Sequence, residues 1–184
     1  MSPNARLRRA YFDCRYGQIH VHQAIPPGGG FDEAAPLLCI PGKQGTGRVF
    51  YPVLAALGAD RSIYAPDLPG YGESDGAGDG AGPEQYALAL TDLLDSLRQR
   101  QIDLMAHAEG AETAIAIEKL RPHALVRRMV LSAASPEAVG AVRGLNVAFR
   151  ELPLLGSHGP STLEASERSQ AIELIEFLGA AKPT

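Results

Sequence analysis

The chain has 184 residues, of which 45% are apolar and 21% charged, and a net charge of -4 at pH 7. That is enough for one domain with a substantial core and too little for two ordinary ones, and the composition excludes a disordered chain. No apolar run approaches the roughly 20 residues that a bilayer needs, and the basic residues are scattered apart from Arg6, Arg8 and Arg9, so neither a membrane nor a nucleic acid is an expected partner. No apolar block follows those arginines to make a secretory signal, and Cys14 and Cys39 lack metal spacing or a CxxC pattern. Free buried thiols in a reducing cytoplasm are therefore expected.

Taken in order, the chain starts with two alternating segments around Gly17, between Arg8 and Ala24, which predict an antiparallel hairpin. Ile19 and Val21 fall on one face and His20 and His22 on the other. A solvated face is expected for the two histidines, because positions i and i+2 of a strand give a metal only two ligands. Pro26 to Gly30 reads as a loop. Leu37-Leu38-Cys39-Ile40 is a continuous apolar run, the mark of a strand buried on both faces, and it ends at Pro41-Gly42-Lys43-Gln44-Gly45. Phe50, Val53, Leu54 and Leu57 then recur at helical spacing, with Thr46 as cap and Gly58 as stop. Ser62 to Ala65 is the next strand and opens into Asp67-Leu68-Pro69-Gly70-Tyr71-Gly72-Glu73-Ser74, and the glycine-rich stretch from Asp75 to Gly82 reads as a mobile loop.

Pro83 suits a first helical position, and Tyr86, Leu90, Leu93, Leu94 and Leu97 form the clearest amphipathic stripe of the chain. A strand follows at Ile102-Asp103-Leu104-Met105-Ala106-His107, then Ala108-Glu109-Gly110 and a helix that Arg121-Pro122 ends. Met129 to Leu131 is a further buried strand. A short helix from Pro136 to Leu145, a strand-like Asn146 to Leu152, a loop at Gly156-Ser157-His158-Gly159 and a closing helix around Ala171, Leu174, Ile175 and Leu178 complete the chain. Strand and helix alternating in this way imply parallel strands with right-handed crossovers and helices on both faces.

The run from Ile102 to Ala111 resembles the nucleophile elbow of α/β hydrolases, in which small-x-nucleophile-x-small holds a side chain on a strained turn between strand and helix. Ala106 and Gly110 supply the small flanks, and Ala108 stands at the nucleophile position. Asp67-Leu-Pro-Gly-Tyr-Gly-Glu-Ser74 is the most specific further match to the epoxide-hydrolase, esterase and C–C hydrolase branch of that superfamily. The resemblance runs discontinuously from about Arg8 to Leu178. It implies a three-layer α/β fold with a mostly parallel sheet of about seven strands, and a single core domain over 1–184 without the family's helical cap.

The resemblance also implies a site. The oxyanion donors would be the backbone N–H of Glu109 and that of Gly42 or Lys43, with Pro41 where the family has a histidine. His158 would be the base, and Glu137 fits loosely as the acid. Asp67 is structural in the family, accepting hydrogen bonds from its own loop; its alternative is to orient His158 as a base. His107 precedes the elbow tip and points away from it.

A methyl group cannot attack a carbonyl, so the acyl-enzyme route is closed at Ala108. Three readings follow: a natural member that has lost serine chemistry and binds a small acyl, ester or carboxylate ligand; a serine-type ester hydrolase whose serine was replaced; and a site, or a plain interaction scaffold, that needs no elbow nucleophile. The first is favoured because the weak acid, Pro41 and the missing cap accompany Ala108. No cofactor and no metal are expected, and self-association to a homodimer is expected through an apolar patch near Val139 to Phe149.

Overall fold

Seven strands and five α-helices make up a computed structural model that describes residues 5–27, 34–42, 45–122, 125–145, 147–152 and 165–179. The strands are β1 (Arg6–Cys14), β2 (Gly17–Ile25), β3 (Leu37–Ile40), β4 (Ile63–Pro66), β5 (Ile102–His107), β6 (Val126–Ser132) and β7 (Ala148–Glu151). The helices are α1 (Tyr51–Leu57), α2 (Pro83–Ser96), α3 (Gly110–Leu120), α4 (Pro136–Arg143) and α5 (Ala165–Gly179), with a 3₁₀ turn at Gly47–Phe50 before α1. They form one sheet in the order β1-β2-β4-β3-β5-β6-β7. The β1–β2 hairpin is antiparallel and β2 meets β4 antiparallel, whereas every pairing from β4 to β7 is parallel.

The alternation of side chains along each strand sorts the apolar residues into two cores. Leu38, Ile40, Leu104, Ala106, Met129 and Leu131 pack beneath α2, α3 and α4. Leu37, Cys39, Ile63, Ala65, Met105 and Val130 pack beneath α1 and α5. A continuous apolar run is therefore what a central strand requires, since both of its faces are covered. The stripe on α2 does as its spacing predicts: Tyr86, Leu90, Leu93 and Leu94 are buried and Leu97 is partly so. Pro83 opens that helix, Thr46 accepts a hydrogen bond from the Arg48 N–H at 3.4 Å, and Gly58 closes α1.

Three expectations need correction. His20 and His22 are buried, at 1% and 2% exposure, because β2 lies between β1 and β4 and its second face is covered by the 3₁₀ turn, by Tyr51 and by the 67–74 loop. The start of the glycine-rich stretch is pinned, with Asp75 Oδ2 accepting from the Gln18 N–H at 2.8 Å and the Asp75 N–H donating to the Gln18 carbonyl at 2.9 Å. The apolar residues of 139–149 face inward: Val139 and Val142 are core, and Leu145, Val147 and Phe149 pack against it. Among the described residues the large exposed apolar side chains are Leu7, Tyr11, Val49, Leu120, Ile172 and Ile175. No helix of the described residues is long and apolar enough to cross a membrane.

Candidate functional site

The elbow forms where β5 runs out. Ile40 of β3 stands beside Ala106 of β5, and His107 beside Ser132 of β6, so the ends of three parallel strands bring 41–42, 107–109 and 132–133 together. Ala108 has a φ of +48°, a left-handed conformation that costs an L-residue about 1–2 kcal/mol. The strain is held by the Ala108 N–H donating to the Ser132 carbonyl at 2.8 Å and by α3 starting two residues later. Ala133, next to Ser132, is also left-handed at +52°, a second strained strand end that no sequence feature signals.

Close approach explains the small residues. A Cβ on Gly110 would lie 2.5 Å from the Ile40 carbonyl oxygen and 2.6 Å from that of Pro41, backbone atoms that cannot step aside. A Cβ on Gly42 would lie 3.3 Å from the Ala108 methyl and 2.7 Å from a carboxylate oxygen of Glu109. Gly42, Ala108 and Glu109 thus meet at the carboxyl ends of the strands, where open α/β sheets place their ligands.

The Glu109 side chain is exposed and borders a cavity of about 270 Å³ that Leu68, Tyr86 and Thr113 also line. Burial, reinforced by Tyr71, pushes the Tyr86 phenol up to about 12, so the cavity wall carries a neutral hydroxyl, which donates to the Ala81 carbonyl at 3.0 Å. His107 is half-buried, its Nδ1 enclosed without a hydrogen-bond partner among the described residues.

The structure does not bring Glu137 to this place. It sits in the first turn of α4, on an adjoining cavity of about 500 Å³ lined with Leu88, Ile115 and Lys119, which shares Pro83 and Glu112 with the cavity at Glu109 but is bordered by neither Gly42 nor Ala108. Its own N–H and the Ser135 hydroxyl hold its carboxyl below the usual range, the ordinary behaviour of an acid at a helix N-terminus. Lys43 and His158 lie outside the described residues.

Asp67 is structural, as its loop implies. It accepts from the Gly47 N–H at 2.7 Å and the Glu73 N–H at 3.1 Å, and its carbonyl accepts from the Ser74 hydroxyl at 2.8 Å. Its Oδ2 also lies 2.9 Å from His20 Nδ1, a partner the sequence reading missed. Burial by itself raises this carboxyl, but the neighbouring His22 and His20 rings and the Glu73 and Gly47 N–H groups outweigh it and hold it well below the usual carboxylate range.

With the strained turn, its small flanks and the parallel sheet in place, comparison with known proteins is decisive. A model of the Alpha/beta hydrolase family matches residues 27–181. The chain belongs to the α/β hydrolase family.

Several solved structures resemble this family member. A serine-to-glycine mutant of the N-acyl homoserine lactonase AidH, complexed with N-hexanoyl homoserine lactone, is 27% identical over 70% of this chain and 46% of that one, with a TM-score of 0.60. An α/β hydrolase from Novosphingobium aromaticivorans is 23% identical over 77% of this chain and 50% of that one, with a TM-score of 0.63. The epoxide hydrolase CorEH is 16% identical over 94% of this chain and 56% of that one, with a TM-score of 0.62. The last two show the fold alone. This chain spans about half the length of the structures it matches. No curated protein sequence matches it significantly.

Proposed function

We propose that this α/β hydrolase family member binds a small acyl, ester or carboxylate ligand at the elbow and hydrolyses it little or not at all. The observation that carries the reading is Ala108, held left-handed at +48° beside Gly42 with a methyl where the family places its nucleophile. Strain of this kind persists only where the surroundings enforce it, and here it aims a side chain that can do no covalent chemistry. The backbone N–H groups of Glu109 and of Gly42 or Lys43 are the proposed donors to a carbonyl or carboxylate oxygen, with His158 as the remaining base and no cap domain over the pocket. Loss of a triad nucleophile costs on the order of 10⁶ in kcat in a well-studied serine protease, which leaves binding as the activity to measure.

The likeness to AidH favours an acyl lactone as the first ligand to try, since the serine-to-glycine mutant of that enzyme is seen with N-hexanoyl homoserine lactone. The test is Ala108→Ser. We expect it to gain hydrolysis of a p-nitrophenyl ester or of N-hexanoyl homoserine lactone, and to lose that gain in the Ala108→Ser/His158→Ala double variant. The unsubstituted chain should bind the lactone, seen by calorimetry, without turnover. A folded Ala108→Ser chain without activity, together with no lactone binding by the parent, would replace this reading with that of an interaction scaffold.

A further inference from the structure

The second face of β2 holds a cluster that the elbow does not use. His20, His22 and Asp67 are all buried, and one ring nitrogen or carboxylate oxygen from each lies within 4.8 Å of those of the other two. A carboxylate has about four lone-pair positions. On Asp67, Oδ2 serves His20 Nδ1 and the Glu73 N–H, whereas Oδ1 serves only the Gly47 N–H. The spare position on Oδ1 has His22 Nε2 3.6 Å away, close enough for electrostatic attraction but too far for a hydrogen bond, and that nitrogen is buried without a hydrogen-bond partner among the described residues.

The distance suits something between the two atoms. Two donors at about 2.1 Å from one tetrahedral ion stand roughly 3.4 Å apart. The far side of the His22 ring is already fixed, with Nδ1 3.1 Å from the Tyr51 hydroxyl. A metal ion would replace the Nε2 proton that otherwise faces the Asp67 carboxylate: Nδ1–H then donates to the Tyr51 oxygen and Nε2 presents its lone pair to the ion. The group opens on a cavity of about 550 Å³ lined by Thr46, Tyr51 and Glu73, with room for a water to complete the coordination. Arg9 and Arg48 also line it, but both are exposed, and Arg9 lies 4.0 Å from Glu73.

We propose that His22 Nε2, Asp67 Oδ1 and one ring nitrogen of His20 form a binding site for a divalent transition-metal ion of the Zn²⁺ class. Two imidazoles and one carboxylate select Zn²⁺, Co²⁺ or Ni²⁺ over Mg²⁺ and Ca²⁺, which take all-oxygen sites. The site is separate from the elbow but structurally tied to it, because the Gly47 N–H that Asp67 holds belongs to the segment leading out of the Gly42 loop.

The experiment titrates the chelator-treated full chain with ZnCl₂ by calorimetry and with CoCl₂ by visible absorption. We expect saturation at one ion per chain, tetrahedral Co²⁺ bands displaced by Zn²⁺, and a Zn²⁺-dependent rise in melting temperature. His22→Gln should weaken binding by at least about tenfold, and Tyr51→Phe by roughly tenfold through loss of the ring's anchor. If His22→Gln does not fold, zinc X-ray absorption on the parent chain decides: imidazole scattering in the first coordination sphere supports the site, and an all-oxygen sphere overturns it. No saturable binding, or binding unchanged in a folded His22→Gln chain, overturns it as well.

Discussion

Ala108 is the residue at which sequence and geometry make opposite demands. A left-handed φ of +48° favours glycine, yet the residue bears a Cβ, and that methyl faces Gly42. Replacing it with glycine removes about 1–2 kcal/mol of backbone strain and adds up to about 1 kcal/mol of unfolded-state entropy. We therefore expect Ala108→Gly to leave stability within about 1 kcal/mol of the parent or to raise it. Gly110→Ala should instead cost several kcal/mol, because its Cβ meets two backbone oxygens. Urea unfolding of the two variants checks the contrast, which a relaxed turn at 108 would not produce. The thiols give a second residue-scale test. Burial pushes Cys39 far up and also raises the half-buried Cys14, so at pH 8 native protein should react with Ellman's reagent slowly at Cys14 and not at Cys39, while denatured protein reacts at both.

At the scale of elements, α5 is docked by the apolar contacts of Ala171, Leu174 and Leu178 and, at its end, by a buried charge network at the opposite end of the strands from the elbow. Asp103 of β5 is fully buried and accepts from Arg61 at 3.0 Å and from Arg127 at 2.9 and 2.6 Å. Arg127 and Arg128 both donate to the Leu178 carbonyl, at 2.7 and 2.8 Å, and so hold the end of α5. Removing one partner of a buried pair leaves an uncompensated charge and costs about 3–5 kcal/mol. Asp103→Ala should lower stability by that amount in denaturant unfolding and increase amide exchange in α5 first. Exchange that rises equally in all helices would separate the network from the docking of α5. The hairpin has its own tie, with Arg15 gripping Asp92 of α2 at 2.9 and 2.8 Å. That pair is solvent-exposed and contributes at most about 1 kcal/mol.

For the whole molecule, the elements were legible and the faces were not always so. The apolar runs at Leu37, Met105 and Met129 announce strands covered on both sides, and the small residues at 106 and 110 announce a tight turn, because period and side-chain size are local properties. The grouping of Gly42, Ala108 and Glu109 comes instead from the resemblance to the hydrolase elbow, and the three strand ends meet around these residues. Alternation says only that His20 and His22 share a face, and not whether a 3₁₀ turn and a distant loop will cover it, so a solvated face is what their spacing predicts. The resemblance links Glu137 to the elbow through its place in chain order after β6, and the register of α4 puts it instead on the adjoining cavity, away from Gly42 and Ala108. What the amino-acid order determined by itself is therefore the alternation of strand and helix and the tight turn at 108, both set by interactions within a few residues. The burial of His20, His22, Asp67 and Asp103 was decided only by the tertiary structure, since a polar group's environment depends on contacts between segments up to 47 residues apart in these networks, or more where α5 returns.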